Sequence, residues 1–206
     1  MKELRHIQLK LRSLNDRELL EFFDEPDNSD PRHHSLAYLE ADRRGGLASV
    51  CARVEPVRHV ILKCIGFWKD EQTYRDCLEP GWLVQPGWNQ ADLKSMSAYL
   101  RMGHTCAAYF GYSSCRIPGC ADGDRIGSKN LTDGTWVWPE GLAHYVERHS
   151  IILPEEFLAW MRQCTWTVPP PDREFALRLR HHAFDFDPTF WIDWSMNVRR
   201  TRRTVG

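Results

Sequence analysis

A chain of 206 residues with 42% apolar side chains and nine tryptophans has ample material for a packed core, which excludes a disordered or low-complexity polymer. Twenty-seven Lys and Arg against 28 Asp and Glu leave a formal charge of −1, so no global field draws the chain to nucleic acid or an anionic membrane, and any such binding has to be local. No run approaches the ~18 to 20 consecutive apolar residues of a membrane span, and the opening MKELRHIQLKLRSLNDRELL lacks the apolar stretch of an export signal, so a cytoplasmic protein without a membrane partner is expected. Seven cysteines, an odd number at irregular spacing, are expected to be reduced rather than paired in a disulfide framework.

In chain order, Asn15 and Glu18 form a capping box ahead of Leu19, Leu20, Phe22 and Phe23, predicting a short amphipathic helix stopped by Pro26. Asp30 as N-cap with Pro31 at the first helical position predicts a second helix, ended by Gly45-Gly46. The stretch from Leu47 to Trp68 is rich in Val and Ile and reads as two strands joined by a turn at Pro56, with Cys51 and Cys64 as small core residues. Pro80-Gly81 and Pro86-Gly87 mark loops that carry Trp82 and Trp88. Asn89 and Asp92 cap a helix through Leu93 to Arg101, and a strand from His104 to about Tyr112 follows. Residues 131–138 alternate around Asp133-Gly134, predicting a hairpin with a type I′ turn. Pro139 is expected to open a helix with Glu140 beside its positive end and Leu142, Tyr145, Val146 and His149 on one face. Another helix begins at Leu153-Pro154. Pro169-Pro170-Pro171 reads as a linker, followed by a helix capped by Asp172, a last aromatic helix from near Pro188, and RRTRRTVG as a frayed basic tail. The expected architecture is α+β: a small antiparallel β-rich centre with peripheral helices, a main domain at 1–168 containing a hairpin-helix module at 104–161, and a helical extension at 169–206.

The chemistry concentrates in that module. Cys115 and Cys120, then 23 residues, then His144 and His149 place two thiols and two imidazoles at spacings that suit one tetrahedral zinc. Pro118 and Gly119 favour a turn between the cysteines, so the first pair sits on a knuckle and the second on a helix. Positions five apart lie about 140° apart on an ideal helix, so His149 has to come from a distorted or ending turn. Four protein ligands leave no open position for water, and the ion would be structural.

The segment GYSSCRIPGC followed by GSKNLTDGTWVWPEGLAHYVERHSIILPEEF resembles one found in a group of uncharacterised bacterial proteins: a cysteine turn, then TDG-x-W-x-WPEGL-x-HYV-x-x-H and LP-x-EF. The resemblance covers roughly residues 96–158. It implies a bacterial source and a shared module, with no activity attached. In that group the cysteines often stand closer together, as C-x2-C; here Pro118 occupies the second place and Cys120 substitutes.

Catalytic readings would make Cys115 a nucleophile with His144 as base, or group Asp133, Glu140 and His144 for acid-base work in a metal-assisted or cysteine-based hydrolase. No G-x-S-x-G, H-E-x-x-H, Walker loop or dinucleotide fingerprint supports an enzyme. Arg199, Arg200, Arg202 and Arg203 admit a zinc-dependent nucleic-acid binder, provided basic character extends beyond the tail. Trp82, Trp88, Trp191 and Trp194 are candidate anchors for a protein partner. The reading that follows is a non-catalytic protein that binds another protein, such as an immunity or inhibitor protein that neutralises a toxin.

Overall fold

Contacts along the chain part between Pro56 and Val57, dividing it into an N-terminal helical unit, Met1–Pro56, and an α+β unit, Val57–Gly206. The structure, a computed structural model, describes residues 2–24, 30–54, 57–70, 74–121 and 123–204; the expected helix stop at Pro26 and turn at Pro56 lie outside the described residues.

In the first unit, helices α1 (Lys2–Ser13), α2 (Asp16–Asp24), α3 (Pro31–Arg43) and α4 (Leu47–Arg53) enclose Leu11, Leu19, Phe22, Ala37, Ala41 and Val50. The capping box forms reciprocally: the Glu18 backbone N–H donates to Asn15 Oδ1 and the Asn15 N–H to Glu18 Oε2, both at 2.9 Å. Asp30 caps α3 through the Arg32 N–H, and Gly45 and Gly46 carry the turn out of it at φ 98° and 91°. Residues 47–53 are helical and not a strand. Val50 is fully buried in the helical core, so tertiary burial outweighs the β preference of a short apolar run. Cys51 is consequently exposed, whereas Cys64 is buried as expected.

The second unit is built on a five-stranded sheet, among the described residues, in the order β2-β3-β4-β1-β5. Its strands are β1 (Val60–Cys64), β2 (His104–Ser113), β3 (Gly127–Thr132), β4 (Trp136–Pro139) and β5 (Phe184–Asp187). The sheet is mixed, not purely antiparallel: β2, β3 and β4 form an antiparallel meander, and β1 pairs parallel with both β4 and β5. It curls so that Cys106 and Ala108 of β2 face Phe184 and Phe186 of β5 across a slot. Helices α5 (Leu93–Arg101), α6 (Leu142–His149), α7 (Glu155–Gln163), α8 (Arg173–His181) and α9 (Thr189–Thr204) surround the sheet. The core between them gathers Leu62, Tyr99, Trp138, Phe157 and Trp191.

Three local expectations shift. The hairpin turn centres on Gly134-Thr135, one residue later than expected, because Asp133 pairs across to Trp136 and of the central residues only Gly134 has positive φ, at 93°. That is the pattern of a II′ rather than a I′ turn. Pro139 ends β4 instead of opening α6, which starts at Leu142. Glu140 turns its carboxylate to the Ser128 N–H at 2.9 Å, so it joins the strands rather than serving the helix dipole.

The boundary expected at 168/169 is replaced by the one at 56/57, since residues 169–206 supply β5 to the sheet and Trp191 to the core, where its Nε1–H donates to the Phe67 carbonyl at 2.7 Å. The basic end is helical through Thr204: Arg202 donates to the carbonyls of Trp82 and Val84, each at 2.9 Å, and Arg199 and Arg203 stack over the Trp82 ring. No helix among the described residues is long and apolar enough to cross a membrane.

Candidate metal centre

The connection between β2 and β3 folds back as a knuckle. The Cys115 N–H donates to the Gly123 carbonyl at 2.7 Å, Gly119 takes φ 76° to complete the turn, and the Cys120 N–H reaches the Ile117 carbonyl at 3.4 Å. The Ile117 N–H points at Cys115 Sγ, 3.5 Å away, as amides do toward a sulfur that carries negative charge. From the other side comes α6. His144 stands in its middle and His149 is its last residue, before Ser150 turns left-handed at φ 50°. The Tyr145 hydroxyl accepts the Arg116 N–H at 2.9 Å and so ties the helix to the knuckle.

The four ligand atoms lie within 4.8 Å of one another, and each residue is half-buried. Cys115 Sγ is 3.3 Å from His149 Nε2 and Cys120 Sγ is 3.4 Å from His144 Nε2. In a tetrahedron with bonds of ~2.0 to 2.3 Å the ligand-to-ligand edges are about 3.3 to 3.8 Å. The two S–N edges already have tetrahedral length. The five-residue separation of the histidines is accommodated because α6 ends at His149, and their ring centroids are 5.2 Å apart. Burial holds the His149 imidazole below its ordinary pKa, favouring the neutral form that ligates. Burial, and then the neighbouring Cys120 sulfur, raise the Cys115 thiol above its ordinary value. This cluster could hold a metal ion, and metal uptake would displace the thiol protons.

The catalytic combinations assemble poorly. The Cys115 thiol contacts His149 Nε2 while His144 Nε2 contacts Cys120, and a raised thiol pKa is the reverse of what a nucleophile needs. Glu140 and His144 do line a small cleft of about 260 Å³, together with Arg101. Asp133 is elsewhere engaged: its carboxylate accepts from Tyr99 Oη, Trp160 Nε1 and the Thr135 and Trp136 amides, at 2.7 to 3.0 Å. All seven cysteines are unpaired; Cys64, Cys77 and Cys106 are buried thiols pushed up to about 12 by desolvation.

The four candidate tryptophan anchors are largely committed to the fold. Trp191 is fully buried, Trp194 stacks on it at 5.2 Å, Trp88 packs against the core, and Trp82 lies under Arg199 and Arg203. Trp82 keeps some exposure, but the most exposed aromatic side chains among the described residues are on β2. Between the pairs Ala108↔Lys129 and Ser113↔Gly127 the two strands fall out of register, four residues of β2 facing only Ser128. Tyr109, Phe110 and Tyr112 stand out from this bulge, and Phe110 is as exposed as in an isolated peptide (112%). The bulge rims a cleft of about 600 Å³ floored by Phe67, Trp68 and Tyr145, whose wall includes Arg116 of the knuckle. Gly111 at φ 93°, an isolated glycine between aromatics in a strand, was the available sequence signal for the bulge.

No protein-family model matches the chain, and searches of curated proteins and of solved structures also give no match.

Proposed function

We propose that Cys115, Cys120, His144 and His149 bind one zinc ion as a structural centre, and that the chain is a binding protein rather than an enzyme. The convergence of all four donors within 4.8 Å carries this reading. Two thiolates and two imidazoles favour zinc over the hard oxygen-seeking cations and complete its preferred tetrahedron, leaving no position for a reactive water. The ion fastens the knuckle to α6. Because Arg116 follows Cys115 directly and Tyr145 follows His144, the same bonds fix one wall of the aromatic cleft.

Metal analysis of protein purified without chelator is expected to give about one zinc per chain. The Cys115→Ser and His144→Ala variants should lose the metal, with a large part of the stability of the second unit. Cobalt substitution tests the closed shell: the intense visible bands of tetrahedral thiolate coordination should be unchanged by added azide. Azide-induced bands would reveal an open position and contradict a purely structural role.

A further inference from the structure

We propose that the β2 bulge and its cleft bind single-stranded nucleic acid, with Phe110 and Tyr112 as stacking platforms and Arg116, Arg125 and Lys129 as phosphate contacts. This rests on the reading of the chain as a binding protein and names the partner class.

The bulge presents planar side chains in a form that packing within the fold does not explain. Phe110 is fully exposed and Tyr112 61% exposed, and both belong to the lining of the cleft. The Arg125 guanidinium lies over the Tyr112 ring, 5.0 Å from its centroid, so one face of that ring is backed by a cation. Lys129 and Arg116 line the same cleft from β3 and the knuckle; Arg116 Nη1 donates to the Lys69 carbonyl, and a phosphate would be met by the other N–H groups of its five-donor fork. Two carboxylates also line it, but Asp70 accepts the Tyr74 N–H at 2.8 Å and Glu140 the Ser128 N–H at 2.9 Å. Both carboxylates keep their charge but are turned to backbone amides, and with Arg125 beside Tyr112 three cations stand against two anions, a small positive excess next to the exposed rings.

Exposed rings interleaved with Arg and Lys are the chemistry of sequence-tolerant single-strand recognition, in which each base offers a π-face and each phosphate a charge. The cleft of about 600 Å³, with Phe67 and Trp68 on its floor, has room for an unstacked base. A duplex hides its base faces and cannot use such platforms. The arginines of α9 are not among the residues lining this cleft; Arg199, Arg202 and Arg203 are held instead against Trp82 and its neighbours.

The test is fluorescence anisotropy with fluorescein-labelled dT15 and rU15, a 15-base-pair duplex and polyglutamate as probes, using the full chain with its zinc content measured in the same sample. Binding of the single strands is expected, with affinity falling with salt at a log–log slope of about −2, from three contacts at about 0.7 each. Phe110→Ala and Tyr112→Ala should each weaken binding about tenfold, and Lys129→Gln should lessen the salt slope by about 0.7. Both aromatic sites are exposed, so circular dichroism and zinc content should be unchanged in these variants. Absence of binding by zinc-loaded protein at 100 µM (a roughly chosen ceiling well above specific affinities), equal binding of the duplex or of polyglutamate, or indifference to both aromatic substitutions would overturn the proposal. Single-strand binding by protein without zinc would leave it standing and count against the zinc centre alone.

Discussion

Gly123 has no room for a side chain: a Cβ there would stand 2.8 Å from the Cys115 Cβ and 3.3 Å from the Cys120 Cβ. Gly123→Ala is therefore expected to push the knuckle apart and weaken metal binding by about tenfold or more, as disturbances next to a ligand do, measured by competition with a chromogenic chelator. An affinity equal to wild type would mean the knuckle yields freely. Asp133 is the second residue on which much depends. It is 5% exposed and serves two side-chain donors and two amides at once. Asp133→Ala leaves those donors buried without an acceptor, and urea unfolding should report a loss of at least about 3 kcal/mol. At this scale the clustering of Cys115, Cys120, His144 and His149 was legible because the spacing of cysteine and histidine pairs is what a shared ion would require. The surroundings of Asp133 were not, since Tyr99 and Trp160 reach it from helices far away in sequence.

Several elements defined by local chemistry could be read from sequence, although the cap expected from Asn89 and Asp92 forms no side-chain hydrogen bond at α5, where Asp92 pairs with Arg162 instead; those defined by distant partners could not. The capping box of α2, the Asp30 cap of α3 and the Asp172 cap of α8 involve groups within three residues of each other, and each forms as expected. The segment that became α4 is different: Leu47 and Val50 suit a strand or a helix, and burial against Leu11 and Phe22 decides. β5 is only four residues, its Phe-Asp alternation is brief, and its partner β1 lies some 120 residues away. Within the first unit, α3 also carries an acid-sensitive device. Glu40 accepts from both Arg43 and Arg44, and these guanidiniums hold its carboxyl down at about 2, against an ordinary value near 4.5. A depressed folded-state pKa adds stability that is present above about pH 4.5 and lost as pH falls towards about 2. Hydrogen exchange of α3 amides should accelerate through that window in the wild type and depend less on pH in Glu40→Gln. An equally steep dependence in the variant would assign the acid response to other carboxylates.

For the whole molecule, the segment 169–206 is integral and not an appendage: it supplies an edge strand, a buried tryptophan and a helix fastened at its far end. Truncation after Val198 should destabilise the second unit, and Arg202→Ala alone should cost about 2 kcal/mol, because two carbonyls lose a charged donor. A melting temperature unchanged by the truncation would return these arginines to the status of a solvated tail. The curl of the sheet brings the segment after β1, the end of β4, the bulge of β2 and the knuckle around one cleft, and the proposed zinc centre would lock the last of these to α6. X-ray absorption at the zinc edge tests that centre most directly. Two sulfur scatterers at about 2.3 Å and two nitrogen scatterers at ~2.0 to 2.1 Å are expected, with the sulfur shell lost in Cys115→Ser, Cys120→Ser double-variant protein; a shell of light atoms only in the wild type, or protein that carries no zinc, would contradict the account.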